Sequence, residues 1–258
     1  MPNKVLNIDG VELNVRVAGD ANAAPVVVLH GWGASIASVA PIMDRLAPLG
    51  YCVHALDLPG FGDSSLPPEP WGVGDYARLV THYLDHVHLA RVHLIGHSFG
   101  GRISIILGAD HAERVLKIVL TGSAGVQTPP TTTQHINRMF GRAVKRTFAL
   151  PGLTALQPTV QHWYRERYGS ADYKSAGPLI DTFLRVVRED LVPYAARIQA
   201  STLLIWGDQD QDAPLWQGQI LEKTIADAGL VVFKGAGHFA YQERISDFIH
   251  IVDTFFKG

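Results

Sequence analysis

Pro25-Val26-Val27-Val28-Leu29 is apolar at every position. A strand with one wet face would alternate apolar and polar residues. An unbroken β-branched run instead belongs to a strand covered on both faces, as in a parallel sheet. Further strands are expected at Tyr51–Leu56, Arg91–Ile95, Val115–Leu120, Thr202–Trp206 and Leu230–Phe233. Between them lie helical patterns at Val39–Leu49, Gly74–His86, Gly100–Ala109 and Leu215–Ala228, with a last one at Glu243–Phe256. Strands alternating with helices predict an α/β fold with a mostly parallel sheet. The opening differs. Val5–Ile8 and Val11–Val17 alternate around Asp9-Gly10, which predicts a hairpin.

The alternation breaks near Gly125. Gln127–Ala196 has no β-branched run but shows helix-like stretches at His135–Phe148, Thr159–Tyr168 and Leu179–Val187. The chain therefore divides into 1–124, the first part of an α/β core; 125–197, a helical cap; and 198–258, the rest of the core. Composition narrows the functional classes. A net charge of −2 over 258 residues, with 47% hydrophobic residues, excludes intrinsic disorder and argues against a nucleic-acid partner. The single cysteine, Cys52, excludes an internal disulfide and a multi-cysteine zinc site. The N-terminus lacks the apolar core of a signal peptide, and no charge-free apolar stretch reaches membrane-spanning length; a cytoplasmic protein without a membrane span is expected. Monomer and homodimer both remain open.

Gly96-His97-Ser98-Phe99-Gly100 stands between a predicted strand and a predicted helix. In that position a G-x-S-x-G segment forms a sharp turn that holds the serine hydroxyl out beside a helix N-terminus. Serine needs a base, and His238 in Gly237-His238-Phe239 follows the last strand. The base needs a carboxylate, and Gly207-Asp208-Gln209-Asp210-Gln211-Asp212 supplies three. Asp210 is the expected partner. Asp208 is expected to bond turn backbone, and Asp212 to cap the following helix. Thr121-Gly122-Ser123-Ala124 carries no carboxylate and offers no competing acid. The expected oxyanion donors are the N–H groups of Phe99 and of Trp32, in His30-Gly31-Trp32-Gly33, with His30 bracing that loop. His82 and His86 stand four apart on a predicted helix but read as a solvated face. No metal or organic cofactor is expected.

These segments, together with Asp57-Leu58-Pro59-Gly60-Phe61-Gly62-Asp63-Ser64-Ser65, resemble the α/β-hydrolase superfamily over essentially the whole chain. The resemblance implies an eight-stranded, mostly parallel sheet with a helical cap after the sixth strand, and a structural role for the Asp57–Ser65 loop. A serine nucleophile is unlike the haloalkane dehalogenases and epoxide hydrolases, which use aspartate. It is similar to the capped esterases and to the carbon–carbon hydrolases of ring-cleavage products. The latter usually carry Trp after the catalytic histidine and a functional arginine in the cap. Here the residue is Phe239, while Arg185 and Arg188 are the candidate cap cations. The expected activity is therefore cleavage of small to medium carboxylic esters through an acyl-enzyme. Hydrolysis of vinylogous diketones is the alternative, and a small-molecule receptor with a vestigial site is the second. Phe140, Phe148, Trp163, Phe183 and Phe239 are the expected pocket lining, with Tyr164 and Tyr168 as further cap aromatics.

Overall fold

The structure is a computed structural model that describes residues 3–127 and 171–258. Eight strands form one sheet in the order β1-β2-β4-β3-β5-β6-β7-β8. β1 (Lys4–Ile8) and β2 (Val11–Ala18) make the expected antiparallel hairpin, with Asp9 and Gly10 both at positive φ. β2 then pairs antiparallel with β4 (Tyr51–Leu56). β3 (Ala24–Leu29), β5 (Val92–His97), β6 (Val115–Thr121), β7 (Thr202–Gly207) and β8 (Ala228–Phe233) run parallel to it.

The apolar runs are explained by cores on both faces. Side chains alternate along each strand. Val27, Leu29, Leu94, Ile118, Leu120, Leu204 and Trp206 face one core with α2 (Val73–His86) and α3 (Phe99–Asp110). Val26, Val28, Ile95, Val119, Leu203 and Ile205 face the other, with α1 (Ile36–Leu46) and the C-terminal helix. α3 is buried along most of its length, which is why its sequence lacks an amphipathic pattern.

Between β6 and β7 the described part holds α4 (Ala171–Ser175), α5 (Ile180–Arg188) and α6 (Val192–Ala195). α5 matches the helix expected at Leu179–Val187. The helices expected at His135–Phe148 and Thr159–Tyr168 lie outside the described residues. After β7 come α7 (Leu215–Thr224), α8 (Ala240–Glu243) and α9 (Ile245–Lys257).

Of the boundaries that depart from expectation, two have a plain physical cause. The helix expected to reach Ala228 stops at Thr224, because Ile225 is extended and β8 begins at Ala228 to pair with Thr202. The single helix expected from Glu243 is broken at Arg244 (φ −126°, ψ 44°), whose guanidinium turns to Asp247. Among the described residues no helix is long and apolar enough to cross a membrane.

Parallel pairing aligns the strand ends. Leu29 lies beside Leu56 and Gly96, His97 beside Thr121, and Gly207 beside Phe233. The loops after β3, β5, β6, β7 and β8 therefore emerge at one edge, the carboxyl edge where open α/β sheets place their sites.

Candidate active site

β5 passes into α3 at Ser98, whose φ of 51° and ψ of −108° are unusual for a residue with a side chain. Such a conformation costs on the order of 1–3 kcal/mol and persists only where its surroundings impose it. Here the two glycines of the motif allow the imposition. A Cβ on Gly96 would meet Gly100 O at 2.6 Å, and one on Gly100 would meet Leu29 O at 2.1 Å. Ser98 N–H donates to Thr121 O (3.1 Å), and Gly100 N–H to His30 O (3.0 Å). The turn is thus stitched to the ends of β6 and β3.

The loop after β7 carries Asp210, which is 5% exposed. Its Oδ1 accepts from the N–H groups of Asp212 and Ala213, both at 2.9 Å. Its Oδ2 accepts from His238 Nδ1 at 2.9 Å. That bond fixes the tautomer with the proton on Nδ1 and leaves Nε2 as the ring's acceptor. The Trp206 indole N–H holds the same loop through Ala213 O (2.7 Å). The His238 loop is tied down by two other carboxylates: Asp208 accepts from Gly235 N–H (2.7 Å) and Glu243 from Gly237 N–H (3.0 Å). Asp208 thus bonds turn backbone, as expected. Asp212 does not cap α7; Pro214 occupies the N-cap position, and Asp212 lines the cavity instead.

Ser98, His238, Trp32 and Phe99 line one cavity of about 470 Å³. Among the described residues no hydrogen bond joins Ser98 to His238, a contact that commonly tightens only with substrate. Nor is the N–H of Phe99 or Trp32 taken by another described residue, so both remain donors at the cavity wall. The Trp32 ring packs edge-on against Phe61, Phe99 and Phe183, at centroid distances of 4.8, 5.3 and 5.1 Å. Buried His30 braces the loop. Its Nδ1 donates to Gly31 O (2.7 Å) and its Nε2 accepts from Leu58 N–H (3.0 Å), while burial lowers its pKa. The Asp57 loop is structural: the carboxylate accepts from Asn14 Nδ2, Ile36 N–H and Asp63 N–H at 2.6–2.9 Å.

Three neighbours escaped sequence reasoning. His97 donates from Nε2 to His238 O (3.1 Å), and burial together with the nearby His238 charge lowers its pKa to about 3. A Cβ on Gly122 (φ +50°) would lie 3.1 Å from His238 Nδ1 and 3.2 Å from Asp210 Oδ2. Arg102, one turn along α3 from Ser98, also lines the cavity. The available signals were only a histidine inside the serine motif, a glycine after a strand, and an arginine in an apolar helix.

Of the expected lining, Phe183 and Phe239 are present; Phe140, Phe148 and Trp163, like Tyr164 and Tyr168, lie outside the described residues. Arg185 donates to Pro70 O, and neither it nor Arg188 lines the cavity. Asp210, Asp212 and His238 also bring possible metal-ligating atoms within 4.8 Å of one another. Asp210 already accepts three N–H donors there, one from His238 itself, which suits a proton relay better than a metal centre. His82 pairs with Asp9.

The family model for the alpha/beta hydrolase fold matches residues 24–151. The chain is 28% identical over 253 residues to a 2-hydroxy-6-oxononadienedioate/2-hydroxy-6-oxononatrienedioate hydrolase from Escherichia coli O139:H28, covering 89% of this chain and 86% of that protein. An enol-lactonase from Burkholderia xenovorans superposes with a TM-score of 0.76 at 25% identity, covering 99% and 100% of the two chains. A meta-cleavage product hydrolase from Pseudomonas fluorescens superposes at 0.74 with 23% identity, covering 98% and 97%. With the strand order and the turn at Ser98 already in place, these matches give the chain the α/β-hydrolase fold.

Proposed function

We propose that Ser98, His238 and Asp210 form a catalytic triad and that the chain hydrolyses a carbon–carbon bond beside a ketone in a vinylogous diketone acid. The observation that carries the triad is the part-buried Asp210–His238 hydrogen bond at the wall of the cavity that also holds the strained Ser98. The substrate class is supported by the similarity to the E. coli hydrolase, whose named substrates are dioates, over most of both chains. Residues 125–197 are the cap in this reading.

His238 Nε2 takes the Ser98 proton as Oγ adds to the carbonyl carbon. The N–H groups of Trp32 and Phe99 hold the resulting oxyanion. Collapse of the adduct breaks the carbon–carbon bond. The departing electron pair is tolerable because the second, conjugated carbonyl delocalises it, and His238 returns the proton to the departing fragment. Water, deprotonated by His238, then cleaves the acyl-enzyme and regenerates Ser98. No step needs a metal or organic cofactor.

Ester or lactone cleavage is the second reading. It is favoured by the enol-lactonase likeness and by Phe239 standing where ring-cleavage hydrolases usually carry Trp. A vinylogous diketone acid assayed beside 4-nitrophenyl acetate and butyrate separates the two. The first reading expects kcat/KM to be higher for the diketone. Turnover of the esters without the diketone overturns it in favour of the second.

A further inference from the structure

We infer that Arg102 is an anion-recognising residue inside the cavity, taking a carboxylate on the part of the substrate that lies toward α3 and α5. Arg102 follows Ser98, the N-cap residue of α3, by four residues, and its backbone N–H donates to Ser98 O (3.3 Å), so the two stand one helical turn apart. The residue is 7% exposed yet lines the cavity that holds Ser98. Nη1 donates to Val186 O (3.0 Å) and Glu189 O (3.2 Å), at the C-terminal end of α5. A guanidinium has five N–H donors in a planar fork, so among the described residues these two bonds leave Nε and the second terminal nitrogen for a ligand.

Among the described residues no close carboxylate neutralises the charge. The carboxylates whose fields reach it, Glu189 and Asp190, accept instead from the backbone N–H groups of Val73 and Val192. Burial lowers its pKa to about 10, so it stays a cation at neutral pH. A buried cation without a counter-ion is costly, and an anion delivered by the substrate offsets that cost. Among the described residues that line the cavity Arg102 is the one arginine or lysine, and Asp172 and Asp212 are the carboxylates, near enough to each other for Asp212 to raise the Asp172 pKa, so an anionic tail is directed to Arg102.

The bland role for Arg102 is as a cap on the last carbonyls of α5. The inference also rests on the cavity being the catalytic pocket, but not on which bond is cut there. The test compares 4-nitrophenyl glutarate monoester with its methyl ester, which removes only the free carboxylate. Both are run with wild type, Arg102→Gln and Arg102→Lys, and Ser98 labelling by a fluorophosphonate checks that the site is assembled. Wild type is expected to favour the free acid in kcat/KM by tenfold or more. Arg102→Gln should cut that ratio by roughly 10–100-fold, the range for a charged hydrogen bond, and Arg102→Lys should keep part of it.

A wild-type ratio at or below one overturns the inference even if the variants fail to fold, as does Arg102→Gln lowering both substrates equally. If wild type turns over neither ester, protection of Ser98 from labelling by monomethyl glutarate against dimethyl glutarate gives the same ratio. Labelling without anion preference removes the inference and leaves the triad standing. Absent labelling removes both.

Discussion

Gly122 sits against the Asp210–His238 pair so closely that one added carbon would lie 3.1 Å from His238 Nδ1 and 3.2 Å from Asp210 Oδ2. Its φ of +50° adds a backbone cost for any side chain. Gly122→Ala is expected to push the imidazole from its carboxylate and to lower kcat by roughly 10–100-fold, the scale of an ångström-level misplacement. Melting temperature should fall by only a few degrees. Full kcat in Gly122→Ala would show that the pair tolerates the displacement.

The triad reading fixes the pattern of losses. Ser98→Ala should abolish fluorophosphonate labelling and lower kcat by several orders of magnitude. Asp210→Asn should cost roughly 10⁴, because Nδ1 then loses the acceptor that sets its tautomer. The Ser98→Ala/His238→Ala double variant should be little worse than either single variant, since the residues act as one unit. If Asp212→Asn is inactive while Asp210→Asn turns over normally, Asp212 is the acid.

Asp57 anchors three N–H donors from three parts of the chain and is 2% exposed. Asp57→Ala strands the N–H groups of Ile36 and Asp63 and the Asn14 amide. At about 1–3 kcal/mol for each unsatisfied buried group, partly offset by water, several kcal/mol of stability should go. Urea unfolding reads this directly. A loss of activity without a loss of stability would assign Asp57 to the chemistry instead.

Acid sensitivity should come from buried histidines. Burial lowers the pKa of His54 to about 4 and, with Lys117 and Arg91 nearby, does the same to His93. An unfolded chain, with histidines near 6.5, binds protons that these rings refuse when folded. Stability is therefore full above pH 6.5 and falls as pH drops from about 6.5 to 4. A shift of this size at one ring is worth roughly 3 kcal/mol across the window. His54→Gln should flatten the dependence of urea unfolding on pH; an unchanged slope would place its origin elsewhere.

What was legible in the sequence was local. The parallel strands showed because burial on both faces makes most positions apolar, and Ser98 showed because the close approaches at Gly96 and Gly100 demand glycine. His97, Arg102 and Gly122 were illegible because each acquires its role from a partner far along the chain; Arg102 meets Val186 across 84 residues. Asp212 misled because an acid before a helix suits a cap, yet Pro214 holds that place. The ester expectation leaned on Phe239, one side chain, whereas the similarity to the E. coli hydrolase spans 253 residues.

In the triad reading, the stitching of Ser98 to β3 and β6 also bears on when the chain becomes reactive. The turn takes its shape only after strands ending near residues 29, 97 and 121 have paired, each pairing closing a long loop. The proposed base comes later still: 141 residues separate His97 from the His238 carbonyl it supports. During synthesis the serine is an ordinary, inert hydroxyl for most of the chain's emergence. Nucleophilicity at Ser98 thus reports completed long-range assembly, and refolding followed by fluorophosphonate capture would time the last tertiary event rather than the first.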